Sequence, residues 1–324
     1  MANISGATVS RVLSGRTDLA ISAETRAKVI EAAEKLGYQP NQSARALMTG
    51  TTGLVGFWMS LAYSRYRSLV LDRMRTIMGR TDLALAVTDV DEEFHWHHSF
   101  SRALRVPVDG IIAFDTSESG ETFARNHERL APSTPFVSMG AYWSDAKSYV
   151  GVDLRAGADL AMDHLLGTGR KRIAYLAPTD SDTLHTGARA DSYREKMEAA
   201  GFAQQVISTD AVNLASVKRA LQPYIDSKTM PEAILCMNDD IAIATEFVLQ
   251  QMGIAVGADV ALVGFDGLEE TELVPCPITT VRQPIEEMCD LAWNFLRTQM
   301  DGSVETVQQK ILKPSLVIRD SSRG

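Results

Sequence analysis

After Gly53 the chain alternates short apolar runs with amphipathic stretches, and this constrains the fold more than any other feature. Leu54–Met59, Leu83–Thr88, Gly110–Phe114, Pro135–Met139, Arg172–Ala177, Glu232–Met237 and Val260–Phe265 are the candidate strands. Arg155–Leu166, Ala188–Ala200, Asp240–Met252 and Ile285–Met300 are the amphipathic stretches. A strand apolar on both faces needs cover on both, so the alternation predicts parallel sheets clothed in helices, an α/β class. Seven or more such units in about 270 residues outgrow a single core and predict two doubly wound lobes. The expected division is 53–152 with 285–312 in one lobe, and 153–284 with 313–324 in the other.

Residues 1–50 read instead as a small all-α head. Ser5 is placed to cap a helix from Gly6 to about Leu13, which Ser14-Gly15 ends. Ser22 caps a second helix, with Glu24 in its first turn, Lys35 in its last and Gly37 just past its end. Val29, Ile30, Ala33 and Leu36 mark its apolar face. Gln42–Met48 is a third short helical piece, closed by Thr49-Gly50. On the first helix Val9, Val12 and Leu13 share one arc, while Gly6, Ala7, Ser10 and Arg11 share the other. Small residues let a helix sink into a major groove, where arginine contacts guanine or phosphate. From this helix alone a plain surface helix is the commoner reading.

Charge fits a head that differs from the body. The chain carries −9, yet residues 1–50 hold six basic and four acidic side chains, so the head is +2 and the rest −11. Such a protein binds DNA through the head alone, weakly and salt-sensitively outside its target. There is no secretion signal or apolar stretch of membrane-span length, so a cytoplasmic protein is expected. Cys236, Cys276 and Cys289 are far apart and odd in number; they read as small buried side chains. His95, His97 and His98 beside Asp91, Glu92 and Glu93 read as a solvated stretch rather than a metal site. No Gly-rich phosphate loop and no nucleophile elbow is present, so neither an enzyme nor a cofactor or metal is expected.

The blocks Ala2-Asn3-Ile4-Ser5, Thr8-Val9-Ser10-Arg11-Val12-Leu13, Ser22-Ala23-Glu24-Thr25-Arg26, Leu36-Gly37-Tyr38-Gln39-Pro40-Asn41 and Ala44-Arg45-Ala46-Leu47 resemble, in order and nearly in spacing, the lactose/galactose repressor (LacI/GalR) family. The resemblance continues through Asp153, Gly157-Ala158 and Gly169–Ala174. It extends over Asp259–Gly267, Ile278–Pro284 and the closing Leu316–Ser321. It implies a helix-turn-helix head with a hinge helix at about 41–48, followed by a two-lobed domain of the periplasmic sugar-binding type. Within the head it implies that Ser5 caps the recognition helix, and that Gly6 and Ala7 are the base-reading pair. It also implies that Arg11 contacts DNA and that Leu47 wedges open a minor-groove step. Thr8, Ser10, Asn41, Ala44 and Arg45 complete the expected DNA-facing set.

One departure stands out. The family pattern starts with a helix carrying an Asp-Val-Ala type motif, and this sequence starts inside the pattern, at Met1-Ala2-Asn3. The expectation is that Met1 is an internal methionine; the alternative is a metabolite-binding protein with little or no DNA binding.

In parallel-sheet domains ligands sit beyond the carboxyl ends of strands. Asp266 ends the run Val260–Phe265, Asn238 and Asp239 end Ala233–Met237, and Arg189 opens a helix after Ile173–Ala177. Paired carboxylate and guanidinium groups grip vicinal hydroxyls, which points to a polyol. Arg189 and Asp266 also match the family's effector contacts, although a structural Arg–Asp pair is the competing reading. Asn238 reads equally as ligand contact or helix cap. Trp58, at a strand end, reads equally as a stacking platform or core, and Tyr66 falls in the loop after it. The expectation is a homodimeric transcription regulator, a repressor, whose operator binding a small metabolite, a sugar, controls through the angle between its lobes.

Overall fold

The computed structural model describes residues 4–13, 21–37, 46, 50–61, 64–90, 105–114, 134–140, 147–179, 187–303 and 306–323. Beyond the head, these residues form two six-stranded sheets. The first contains β1 (Leu54–Met59), β2 (Ala84–Asp89), β3 (Gly110–Phe114), β4 (Phe136–Gly140), β5 (Ser148–Val152) and β11 (Gln309–Leu312). Its order is β11-β5-β4-β3-β1-β2, all parallel. The second contains β6 (Ile173–Pro178), β7 (Gln205–Thr209), β8 (Ala233–Cys236), β9 (Ala261–Asp266), β10 (Thr279–Arg282) and β12 (Ser315–Val317). Its order is β12-β10-β9-β8-β6-β7, parallel except for β12.

The two orders are the same doubly wound pattern used twice, each with a further edge strand from late in the chain. Central strands β3, β4, β6 and β9 are buried along their whole length, as their apolar runs predict. In the first lobe α3 (Arg65–Met78) and α9 (Ile285–Met300) pack Val70, Met74, Met288, Ala292 and Leu296 against Phe57, Phe114, Met139 and Val150. In the second, α4 (Leu154–Gly167) and α5 (Ala188–Ala199) cover one face around Tyr175 and Phe265. Helices α6 (Leu214–Asp226) and α7 (Asp239–Gln251) cover the other around Leu176 and Leu262, and the one-turn α8 (Glu270–Leu273) follows β9.

The chain passes between lobes three times: from β5 to α4, from β10 to α9, and from β11 to β12. Two of these passages are tied together, because the Asp153 N–H donates to the Leu312 carbonyl at 2.9 Å. The Asp153 side chain then caps α4 by accepting from Ala156 N at 2.9 Å. The C-terminal end is pinned to the second lobe: Ser321 Oγ donates to the Leu262 carbonyl at 2.5 Å, and Ser322 Oγ lies 2.7 Å from His164 Nε2.

In the head, α1 (Gly6–Leu13) and α2 (Ala23–Lys35) start at the expected caps, with Thr8 N donating to Ser5 Oγ and Thr25 N to Ser22 Oγ, both at 3.2 Å. Gly37 ends α2 in the left-handed conformation, φ +60°. The apolar face of α2 departs from expectation. Val29 is buried and Ala33 half-buried, but Ile30 and Leu36 are exposed, Leu36 by 81%. Two of the three cysteines, Cys236 and Cys289, are buried as expected, while Cys276 is only half-buried.

Candidate functional site

The carboxyl end of β9 is built around a buried acid that is not among the ligand candidates. Asp239, the first residue of α7, accepts from Thr280 Oγ1 at 2.7 Å and from the N–H groups of Gly267 and Leu268, each at 2.8 Å. It thereby fixes the turn that follows the strand. Gly264 makes room for it: a Cβ there would lie 2.1 Å from Asp239 Oδ1. Burial pushes the Asp239 carboxyl up to about 6 against the pull of those hydrogen bonds.

On this frame stands Asp266, the last residue of β9. Its φ is +130°, a region that L-residues occupy at a cost and that concentrates at functional sites. The side chain is 4% exposed and accepts from Gln283 Nε2 at 2.8 Å. Burial, and then the neighbouring Asp239 charge, hold its carboxyl well above the usual range, while Arg189 opposes them.

Arg189, the second residue of α5, is locked from two sides. It donates through Nη1 to the Met237 carbonyl at 2.8 Å, and its guanidinium carbon sits 5.0 Å from the Phe265 ring centroid. Asp266 and Arg189 thus converge above the ends of β8 and β9, the region where doubly wound sheets take ligands. They are not a direct ion pair among the described contacts: Arg189 is held by the Met237 carbonyl and Asp266 by Gln283, so the guanidinium and the carboxyl are oriented separately.

The other candidates fare differently. Asn238 caps α7, its Oδ1 accepting from Ile241 N at 2.9 Å. This leaves its amide nitrogen as the group a ligand would meet. Trp58 is 1% exposed among Val90, Ile111, Ala113 and Phe136. Its indole nitrogen lies 3.3 Å from where a Cβ on Gly56 would stand, so the ring folds back along β1, away from the strand's carboxyl end. Core packing, not a stacking platform, describes that geometry. Tyr66, expected in a loop, is the second residue of α3. It is 6% exposed, tilts on Phe114 at 5.8 Å between ring centroids, and donates to Gln283 Oε1 at 3.0 Å. Gln283 was not singled out from sequence; a polar residue just after a buried strand and beside Pro284 was its only signal.

In the head, Ser5, Gly6, Ala7 and Arg11 are exposed and Thr8 half-buried, while Val12 is buried. The small-residue face of α1 therefore points outward. Ser10 lies within α1. Asn41, Ala44, Arg45 and Leu47 fall outside the described residues, as do His95, His97 and His98. Ala46 is helical, and its carbonyl accepts from Gly50 N at 2.8 Å. Among the described residues no cluster of His, Cys, Asp and Glu has the arrangement of a metal site, and no helix is long and apolar enough to cross a membrane.

Comparison with known proteins agrees with this layout. The family described as bacterial regulatory proteins, lacI family, matches residues 1–41, and the periplasmic binding protein-like domain matches residues 162–322. A ribose operon repressor of Halalkalibacterium halodurans is 25% identical over 100% of this chain and 95% of its own length. The HTH-type transcriptional regulator DegA of Bacillus subtilis is 29% identical over 99% of this chain and 95% of its own. A crystal structure of the Lac repressor bound to ONPG superposes with a TM-score of 0.81 at 22% identity, over 99% of this chain and 97% of that one. A helical head that matches the lacI family, two doubly wound lobes behind it and similarity to repressors along the full length agree on one conclusion: the chain joins a lacI-family head to a periplasmic binding protein-like domain, the makeup of a lacI-family regulator.

Proposed function

We propose that the protein is a cytoplasmic repressor that binds operator DNA as a homodimer and is controlled by a neutral carbohydrate in the cleft between its lobes. The observation that carries the effector site is the strained, buried Asp266 beside a doubly anchored Arg189. A carboxyl and a guanidinium held apart and pointed at the same space suit adjacent hydroxyls, one accepting and one donating. A full negative charge on the ligand would meet Asp239, Asp240 and Asp266 together, all buried in this part of the second lobe.

Gly6, Ala7 and Arg11 read base edges and phosphate in the major groove; Thr8 and Ser10 sit beside them on α1, which Ser5 caps. Asn41, Ala44, Arg45 and Leu47 serve the minor groove as a hinge helix. Exposed apolar side chains suit a second copy: Leu61, Leu69 and Val87 in the first lobe, Phe247 and Leu273 in the second. Ligand shifts the lobe angle, and with it the spacing of two hinge helices across the dimer. No catalytic step belongs to this reading.

A single gel-retardation experiment with the operator fragment, titrated with neutral aldoses, tests both halves. Asp266→Ala keeps DNA binding and raises the sugar concentration for half-response at least tenfold, about 1.4 kcal/mol. Arg11→Ala weakens DNA binding and leaves sugar affinity unchanged. If Asp266→Ala responds like the parent, the cleft assignment is wrong; if Arg11→Ala binds like the parent, the reader-helix assignment is wrong.

A further inference from the structure

Two consecutive residues at the start of α3, in the first lobe, both reach the second lobe. The Arg65 backbone N–H donates to Asp240 Oδ2 at 3.2 Å, and its guanidinium donates to Asp240 Oδ1. Its Nε also lies 3.8 Å from Glu270 Oε1. Next to it, Tyr66 donates to Gln283, which donates to Asp266. A third contact is apolar: Leu268, on the turn that Asp239 holds, packs into the first lobe's core cluster with Tyr66 and Ile285.

The chemistry at Asp240 is unusual for an ion pair. Asp240 is the second residue of α7, so its carboxylate already sits at the positive end of its own helix. By accepting the N–H of Arg65, the first residue of α3, it also serves an orphan donor of a helix in the other lobe. Two helix N-termini that repel each other are joined through one carboxylate. Its side chain is 3% exposed, whereas an ordinary surface pair is solvated on both sides and holds little.

We propose that Arg65 and Tyr66 are positioning residues that latch the first lobe onto Asp240 and Gln283, holding the cleft closed before any ligand enters. Ligand then acts on the latch through Asp266: a hydroxyl that engages this carboxyl competes with Gln283 and so reaches Tyr66. Only this last step rests on the effector reading above. Closure itself depends on the contacts just described and needs no ligand.

The test uses the full chain without ligand, spin-labelled at Asp82→Cys and Asp226→Cys, one exposed position in each lobe, with the half-buried Cys276 replaced by serine. The distance between labels is measured at 50 mM and at 1 M NaCl (about 14 Å and 3 Å of Debye screening). The parent gives a narrow distribution that broadens and lengthens with salt. Arg65→Ala gives the broad, long distribution at both salts, Arg65→Lys lies between, and Tyr66→Phe lengthens it less. In Asp240→Asn, which keeps shape and loses charge, exchange protection of the Arg65 amide falls at least tenfold while that of the central β9 amides is unchanged. An Arg65→Ala distribution that superposes on the parent's at both salts overturns the latch. If Asp266→Ala leaves sugar response intact while the salt-dependent closure persists, the effector reading fails and the latch stands.

Discussion

The two lobes share one strand order and differ in what they bury. The first lobe's described core is apolar and rich in methionine: Met59, Met74, Met78, Met139 and Met288 pack among aliphatic and aromatic side chains. All four buried carboxylates among the described residues, Asp239, Asp240, Glu246 and Asp266, lie in the second lobe, with Thr271, Thr279, Thr280 and Ser321 buried beside them. Methionine adapts to neighbours with little penalty, whereas a buried carboxylate tolerates only the partners that satisfy it. The same topology thus yields one forgiving lobe and one exacting lobe. The exacting one holds Arg189 and Asp266, to which we assign the ligand; the forgiving one supplies Arg65 and Tyr66, which reach across to Asp240 and Gln283.

The sharpest way to break this contrast is to add one methyl group to a strand glycine in each lobe. In Gly264→Ala the new Cβ would lie 2.1 Å from Asp239 Oδ1, an atom already committed to Thr280. The carboxylate must leave, and its three donors lose their partner; a loss of about 3 kcal/mol or more follows. In Gly110→Ala the Cβ would meet the end of the Leu296 side chain at 2.9 Å and Met300 Sδ at 3.0 Å, both able to rotate aside. The expected loss there is about 1 kcal/mol. Urea unfolding of both variants decides it; equal losses would show that the two cores are equally tolerant.

A second contrast is in pH. An acid whose folded value is raised binds its proton more tightly folded than unfolded. Asp239, raised from 3.8 to about 6, therefore supports folding most below its ordinary range, and that support is lost as pH climbs through about 6. Asp266, raised by the same burial and by Asp239 itself, extends the loss to higher pH. Stability of the second lobe, read from hydrogen exchange of β8 and β9, falls between about pH 4 and pH 7, while β3 and β4 exchange keeps a flatter profile. Asp239→Asn should flatten the second lobe's slope; an unchanged slope would remove Asp239 as its source.

The contrast also separates what the sequence could tell from what it could not. Strands such as Gly110–Phe114 and Leu54–Met59 were legible because burial on both faces writes an unbroken apolar run. Ser148–Val152 and Thr279–Arg282 were not, being short and partly polar, although each lies inside its sheet with an edge strand beyond it. Asp266 and Arg189 could be singled out because strand ends and helix starts aim side chains at a cleft. Gln283 could not, because its role depends on Tyr66 coming within 3.0 Å across 217 positions of sequence. Trp58 misleads for the opposite reason: strand position does not say which way along the strand an indole will fold. In the head, helical spacing put Ile30 and Leu36 on the same face as Val29 and Ala33, yet both are exposed, so spacing names a face and not its cover.

The smallest effect comes from one of two places where the described second lobe falls short of its own standard, Glu246 Oε2 being the other. Tyr175, in the middle of β6, stacks on Tyr193 at 5.6 Å between centroids and is 1% exposed. Its hydroxyl has no hydrogen-bond partner among the described residues, and burial pushes its pKa up to about 12. Tyr193 differs: its hydroxyl accepts from Gln205 N and has two carbonyls within donating distance, Ile173 at 2.9 Å and Gln205 at 3.0 Å. A buried hydroxyl without a partner costs free energy, and replacing it by hydrogen keeps the ring and removes the cost. Tyr175→Phe is therefore expected to be neutral or stabilising by up to about 1 kcal/mol, while Tyr193→Phe loses about 1–2 kcal/mol. Chemical denaturation of the pair reads the difference directly. A loss in Tyr175→Phe as large as in Tyr193→Phe would mean that the Tyr175 hydroxyl is satisfied in solution, and that the second lobe's rule of partnered polar groups has no exception at this strand.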